Sequence, residues 1–596
     1  MVRPVKFAAP KLLQTRLQLW RSRFIFSLVA LCFVALGGKA LYLQTMSAPF
    51  LQAQGAQRYE KTIELQANRG RILDRHGVVL ASSLPARSIW AYPDRVDLGD
   101  PRLMDVARLL DIKPLDLQRR LTADDKNFVF LKRQVDLGTA ERIKALRIKG
   151  IGQDGEYKRD YPEGETVAHL VGFTDIAHVG QEGLELSFQS TLAGHAGSRR
   201  VIRDGTGQII GALDQLREPR DGRDLRLTID TRIQAKTLQA LKDSIKENRA
   251  QAGAAIVLDA KSGEVLALAN WPSYNPNDRT RLSGAQLRNR AITDLYEPGS
   301  TLKVFTAALA LESGKYRPSS IVDAREGKLT IGRHTIRDAH RMRELTTIEQ
   351  VIQKSSNIGT AKLALTLSPE EHWRLLTASG FGQAPKIGFP GAASGRLRPH
   401  KKWKPIEQAT ISYGHGISVS LMQMARAYTI FAGNGELLQA RIFKTDVDQR
   451  GRPMQVSLRA RGDDTVRGVP VIKPETAAAI RKMLEMAAGP KGTAPSAQVP
   501  GYRVGGKTGT TTKIEHGRYV KKYVASFVGM APMSDPRIIV AVMIDEPSTG
   551  KYYGGQIAGP VFSRIAGDAL QSLSVEPDAP FETMISPMVA LNKEGA

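Results

Sequence analysis

Hydrophobic patterning along this 596-residue chain changes character several times. The stretch from Phe24 to Leu43 carries a single charge, Lys39. About 20 helical residues at about 1.5 Å each match a bilayer core of about 30 Å, which predicts one membrane span over 24–43. Residues 44–230 then mix short strand-like runs with Gly and Pro punctuation and offer no catalytic constellation. A helix follows with Ile233, Leu238, Leu241 and Ile245 on one face. Beyond it, Ala254–Leu258 and Val265–Ala269 flank a turn at Asp259–Gly263 and read as a hairpin of buried strands. Val304–Leu311 is apolar nearly all round, predicting a buried helix that stops at Gly314. Tyr523–Met530 and Arg537–Ile544 predict two further strands, followed by a helix from Pro560 to about Leu573. Residues 576–596 contain three prolines and no periodic pattern, so they read as a tail.

Charge fixes where these parts sit. Arg3, Lys6, Lys11, Arg16, Arg21 and Arg23 precede the apolar stretch with no acidic residue among them, a bias that holds the amino terminus in the cytoplasm and exports the rest. Trp20 and Tyr42 fall at interfacial depth, and Lys39 is near enough to the outer end to snorkel. A cleaved signal peptide is the rival reading, opposed by the length of the apolar run and the lack of an Ala-x-Ala pattern after it; both readings export the chain. The formal charge of +26 is therefore directed at a membrane surface or an anionic wall polymer. Nucleic acid is not an expected partner, and no nucleic-acid-binding motif is present. The single cysteine, Cys32, lies in the apolar stretch, which excludes disulfides, thiolate clusters and a cysteine nucleophile from the exported part.

The candidate chemistry begins at Glu297-Pro298-Gly299-Ser300-Thr301-Leu302-Lys303. A buried helix has no ordinary use for a lysine. Burial disfavours the ammonium, so Lys303 is expected to be neutral enough to act as a base, on the same face as Ser300 at i, i+3. A helix start also offers free N–H groups and a positive dipole end to a developing oxyanion. A bare Ser-x-x-Lys arises by chance about once or twice in such a chain. Two later motifs raise its weight. Ser355 and Asn357, in Lys354-Ser355-Ser356-Asn357, are candidates for proton relay to a leaving amine and for holding the substrate backbone or orienting Lys303. Lys507-Thr508-Gly509-Thr510, after Gly505-Gly506, sets a cation and hydroxyls among glycines on a strand, suited to a carboxylate and an extended peptide.

Ser300-x-x-Lys303, Ser355-x-Asn357 and Lys507-Thr508-Gly509, in this order in one domain, resemble the three motifs of penicillin-binding proteins and serine β-lactamases. Arg69-Gly70-Arg71-Ile72-x-Asp74-Arg75-x-Gly77, Arg159-x-Tyr161-Pro162-x-Gly164 with His169–Phe173, and Gly183-x-Glu185 leading into Leu192-x-Gly194 further resemble the pedestal of class B penicillin-binding proteins. Ser88–Ala91, Ser412–Gly416 and Lys551–Gly555 are similar to the division-type enzymes of Gram-negative bacteria. One departure is His415, where that pattern has an aromatic; it reads as a packed histidine.

The resemblance implies an α+β multidomain chain: a basic tail (1–23), a transmembrane helix (24–43), a mixed pedestal (44–230), a transpeptidase domain with an antiparallel sheet flanked by helices (231–575) and a tail (576–596). It implies a D,D-transpeptidase of the inner membrane, active in the periplasm on peptidoglycan stem peptides and inhibited covalently by β-lactams. In that reading Ser300 is the nucleophile, Lys303 the base, Ser355 the relay and Asn357 the substrate amide contact. Lys507 and Thr508 hold the terminal carboxylate, with Gly509 beside them in the substrate-binding strand, while the N–H groups of Ser300 and Thr510 form the oxyanion hole. No metal or other cofactor is expected, and the ten histidines lack a spacing such as His-Glu-x-x-His. The implied partners are an FtsW-type glycosyltransferase and other division proteins. Rival readings are an elongation-type transpeptidase, a hydrolase sharing the acyl-enzyme, and a non-catalytic β-lactam sensor or scaffold.

Overall fold

The computed structural model describes residues 18–50, 60–122, 128–203, 209–444 and 468–580. It divides into two compact units, Met1–Ala67 with His195–Arg220, and Asn68–Gly194 with Asp221–Ala596. The stretch read as one pedestal, 44–230, is thus shared between them. In the first unit, helix α1 (Leu19–Thr45) has a mean hydropathy of 2.2 over an 18-residue stretch and no buried residue, and at about 1.5 Å per residue it is about 40 Å long, which fits a single-pass membrane anchor. Strands Glu60–Leu65, Gly197–Arg203 and Ile209–Arg217 form an antiparallel sheet there, with Gly197–Arg203 in the middle.

In the second unit the long strand Val79–Ala91 pairs with Ile151–Asp160 along its length and with Val129–Val135 towards its end. Leu103, Val106, Leu110, Leu117 and Leu131 close a small core against it. The three arginine and glutamate positions of the scattered sequence motifs meet below this sheet. Glu185, fully buried, accepts Arg69 Nε at 2.6 Å on one oxygen and Arg159 Nε at 2.7 Å on the other. The spare donors are used on backbone: Arg69 on the carbonyls of His178 and Glu185, Arg159 on that of Gly70 at 2.8 Å. Gly70 is required because a Cβ there would lie 2.2 Å from the Arg223 carbonyl oxygen. Asp74 binds the N–H groups of His76 and Val78 and, at 2.9 Å, the hydroxyl of Thr231, which ties this region to helix α2 (Thr231–Glu247).

The centre of the second unit is a five-stranded antiparallel sheet. Its strands are β1 (Ala252–Asp259), β2 (Val265–Trp271), β3 (Gly505–Glu515), β4 (Arg518–Ala531) and β5 (Ile538–Asp545), in the order β2-β1-β5-β4-β3. The amino-terminal hairpin joins the carboxy-terminal meander through β1 and β5, with Ile538 opposite Asp259. Both faces are covered, which explains the nearly unbroken apolar runs. Ala255, Val257, Val540 and Val542 point to α2 and to a carboxy-terminal helix at 554–572, where Ile233, Leu238, Leu241 and Ile245 pack as expected. Ala254, Ile256, Leu258 and Ala541 point to the opposite core, which is built around helix α3 (Lys303–Glu312).

The last helix, α4 (Gly554–Ser572), starts six residues before the expected Pro560, which lies inside it. Gly554 explains the early start: a Cβ there would sit 2.3 Å from the Gly509 carbonyl oxygen, so only glycine lets this end of the helix lie against β3. The residues just after it, read as the beginning of a tail, are docked. Asp578 accepts the N–H groups of Arg503 at 2.7 Å and Ser534 at 3.0 Å. Residues 581–596 lie outside the described residues.

Removing one member of a buried ion cluster leaves the others desolvated and unpaired. Glu185→Gln is expected to lower stability by about 3–5 kcal/mol, read as a drop in the thermal midpoint of detergent-solubilised protein; a loss below about 1 kcal/mol would show that Arg69 and Arg159 do not depend on it.

Candidate active site

Ser300 lies on a single 3₁₀ turn, Gly299–Leu302, and Lys303 is the first residue of α3. The 3₁₀ geometry eclipses positions i and i+3, so it sets the two side chains on one side more closely than an α-turn would. Gly299 adopts φ +56°, in the left-handed region that favours glycine, at the start of this turn. Its N–H donates to the Gly414 carbonyl at 3.1 Å, and the turn is closed by Thr301 Oγ1 donating to the Pro298 carbonyl at 2.7 Å.

Lys303 is fully buried, as are Val304 to Ala310. Its Nζ donates to the carbonyl and, at 3.1 Å, to the Oγ of Ser355; no hydrogen bond joins it to Ser300 or Asn357 among the described residues. Burial, and then the positive charge of Lys507, push its pKa well below the usual lysine value, against a smaller opposing pull from Asp338. The first and second sequence motifs are therefore brought together through Lys303 and Ser355. Ser355 holds φ +62°, an uncommon conformation for a non-glycine residue, and this turns its carbonyl towards the lysine. It sits immediately before helix 357–365, whose N-cap, Ser356, accepts the Gly359 N–H at 2.9 Å. Asn357 donates its side-chain amide to the Arg337 carbonyl at 2.9 Å, which leaves its Oδ1 free.

Asp338 is a member that sequence reasoning missed. Its carboxylate accepts Ser356 Oγ at 2.7 Å and the N–H groups of Asn357 and Ile358, pinning the helix start that carries the second motif. It is one exposed-looking Asp-Ala pair 18 residues upstream of Ser356, so only the folded hairpin before it makes the contact.

The third motif lies on β3, the edge strand of the sheet, whose outer edge has no strand neighbour among the described residues. Lys507 is fully buried, and burial pushes it down to about 7. It donates to Thr508 Oγ1 at 3.2 Å, and that hydroxyl also meets Thr493 Oγ1 at 3.0 Å. Thr510 Oγ1 accepts the Gly554 N–H at 2.9 Å. The glycines, expected to admit a substrate, make room for the protein itself. A Cβ on Gly509 would be 2.3 Å from Ser526 Oγ and 2.9 Å from the Pro298 carbonyl oxygen, and one on Gly506 would be 2.4 Å from the Phe527 ring. Gly509 is thus what lets β3 lie against the turn of Ser300. His415, read as packed, instead bonds through Nδ1 to Glu297 at 2.9 Å. Among the described residues no cluster of His, Cys, Asp or Glu converges to hold a metal ion.

Residues 253–567 match the penicillin binding protein transpeptidase domain, and residues 64–227 match the penicillin-binding protein dimerisation domain. Over 566 residues the chain is 40% identical to a probable peptidoglycan D,D-transpeptidase, PenA, of Neisseria meningitidis, with 94% of each chain covered. Over 569 residues it is 37% identical to the peptidoglycan D,D-transpeptidase FtsI of Escherichia coli, covering 94% of this chain and 93% of that one. Among solved structures, penicillin binding protein 3 of Mycobacterium tuberculosis, complexed with aztreonam, is similar with a TM-score of 0.66 and 28% identity, covering 87% of this chain and 99% of that one.

The depressed pKa of Lys507 has a sign that can be tested. Below about pH 7 the lysine is charged in both folded and unfolded chains, and the folded state carries the full desolvation penalty. As pH rises towards the unfolded value of 10.5 the unfolded chain binds the extra proton and the penalty fades. Lys507→Met should therefore melt above wild type at pH 7, with the gap narrowing towards pH 10. A gap that does not change with pH would show that Lys507 titrates normally.

Proposed function

This chain belongs to the class B penicillin-binding proteins, the serine-type peptidoglycan D,D-transpeptidases, and from that premise we propose that Ser300 carries the acyl group and that the enzyme works at the division septum. One observation carries the site assignment: a lysine buried without a carboxylate partner, bonded to Ser355, stands one 3₁₀ turn from Ser300 and next to an open edge strand. In the proposed reaction neutral Lys303 takes the Ser300 proton as Oγ attacks the carbonyl between the two terminal D-alanines of a stem peptide. The N–H groups of Ser300 and Thr510 receive the oxyanion. Ser355 relays the proton to the departing amine, so D-alanine leaves and the acyl-enzyme remains. An amine of a neighbouring strand then attacks the ester, returns its proton along the same route and completes the crosslink.

Asn357, through its free Oδ1, takes a substrate N–H, while Lys507 and Thr508 bind the terminal carboxylate. The backbone around Gly509 pairs with the extended stem peptide at the edge of the sheet. β-Lactams acylate the same serine. The solved relative with aztreonam supports this, being similar over 87% of the chain. The six cations before the apolar stretch 24–43 support a cytoplasmic amino terminus and a periplasmic catalytic domain. The FtsI relative supports the division role, and an FtsW-type glycosyltransferase is the membrane partner proposed for it.

Mass spectrometry after labelled penicillin should find the adduct on the peptide containing Ser300, and none in Ser300→Ala; an adduct elsewhere would overturn the assignment. Lys303→Arg keeps the charge but cannot give up its proton, so acylation should slow by about 10²- to 10⁴-fold in stopped-flow kinetics. A fluorescent fusion should concentrate at midcell, and a sidewall signal would transfer the role to elongation.

A further inference from the structure

Glu297 lies three residues before Ser300 and is nearly buried, with its side chain 9% exposed. Its carboxylate has three donors. Oε2 accepts His415 Nδ1 at 2.9 Å, Oε1 accepts the Gly416 N–H at 2.8 Å, and the Tyr519 hydroxyl donates to both oxygens at 3.2 and 3.3 Å. Burial alone would raise this carboxyl, yet the hydrogen bonds, with His415 foremost, hold it below the usual carboxylate range. His415 is itself 30% exposed, with its ring edge-on to Tyr413 at 5.5 Å. A side chain that open to solvent is not filling a core. What it offers is an N–H to a desolvated carboxylate, available in the imidazolium and in one neutral tautomer alike.

The two segments joined by this pair are also locked backbone to backbone. Gly299 donates to Gly414, and Gly414 at φ +87° has no room for a side chain, since a Cβ would sit 2.1 Å from the Gly299 carbonyl oxygen. On the far side the Glu297 carbonyl accepts Thr511 Oγ1 from β3 at 3.1 Å. The turn bearing Ser300 is therefore held between a loop and a strand. The strand side is fixed by the sheet, whereas the loop side is held by the Gly299–Gly414 backbone bond and by one carboxylate with its donors.

We propose that His415 is a positioning residue for the acylation step: by bonding Glu297 it holds loop 413–416 against turn 297–301 and so fixes Ser300 relative to Lys303, without touching the substrate. This rests on the assignment of Ser300 as the nucleophile. A displacement of about 1 Å in a reacting group is enough to slow chemistry by about 100-fold, whereas noncovalent capture of the ligand tolerates it.

The test uses the full-length protein in detergent and a fluorescent penicillin, with the dissociation constant and the acylation rate constant measured separately. His415→Leu should lower the acylation rate constant by about tenfold or more while the dissociation constant stays close to wild type. His415→Asn, which presents an N–H near the place of Nδ1–H, should recover most of the rate. Glu297→Leu removes the acceptor of all three donors and should slow acylation at least as much, and the double variant Glu297→Leu with His415→Leu should be no slower than Glu297→Leu alone, because the His415 bond is already lost in it. An unchanged rate in His415→Leu, a loss confined to the dissociation constant, an Asn variant as slow as Leu, or additive losses in the double variant would each overturn the proposal. Mapping the adduct separates the two readings. If Ser300 is labelled at full rate in His415→Leu, only the positioning role falls; if Ser300 is unlabelled in wild type, the nucleophile assignment falls and takes the positioning role with it.

Discussion

The structure around the site is organised by the need to keep two lysines out of water. Lys303 and Lys507 are both fully buried, on different elements, and neither forms an ion pair with a carboxylate among the described residues. An isolated buried ammonium is costly enough that such a group gives up its proton instead. The fold imposes that penalty through α3, apolar all round, and through β3, where Phe527 and Met533 crowd the glycines before Lys507. What compensates is neutral: carbonyls and hydroxyls of Ser355 and Thr508 accept from the lysines without restoring the charge. Two lysines held below the usual lysine pKa are the chemical product of that arrangement.

Stability for this comes from elsewhere in the second unit. Two cores, one on each face of the five-stranded sheet, are nearly wholly apolar, and they hold the penalised lysines in place. The Arg69–Glu185–Arg159 cluster does the opposite job, with both arginines bonded to one carboxylate and their remaining donors on backbone carbonyls. It gathers three segments of low intrinsic regularity, and Asp74 links them to α2 at Thr231. Ionisable side chains are buried in both places, but as bonded ions in the cluster and as lysines pushed towards the neutral form at the site, a contrast that matches scaffold with chemistry.

Of the residues that bear on Ser300, several work by geometry alone. Gly299, Gly414 and Gly509 each lack a Cβ where another backbone or side chain stands within 3 Å, so the turn, the loop and the strand interlock. Ser355 supplies a strained left-handed backbone, and Asp338 anchors the helix start beside it. Glu297 and His415 close the remaining side. The effect is Ser300 on an interlocked turn beside the edge strand of the sheet.

The sequence alone determined what depends on local pattern or on composition. A span of 20 residues with one charge can only be apolar in three dimensions, and α1 follows from it. Period and run length placed the strands of the hairpin and meander, because strands buried on both faces need no alternation. The lysine in an apolar helix was already an anomaly needing chemistry. Tertiary structure alone decided what depends on approach between distant segments. Nothing local to Gly509 says that its vacant Cβ position holds Ser526 and Pro298 rather than a ligand, and nothing near Asp338 points to the helix start it caps. Likewise Arg69, Arg159 and Glu185 stood out as motifs, yet their meeting at one carboxylate spans 116 residues of chain. Hydrogen bonds and close packing act over a few ångströms in space, and only the fold decides which residues come that near.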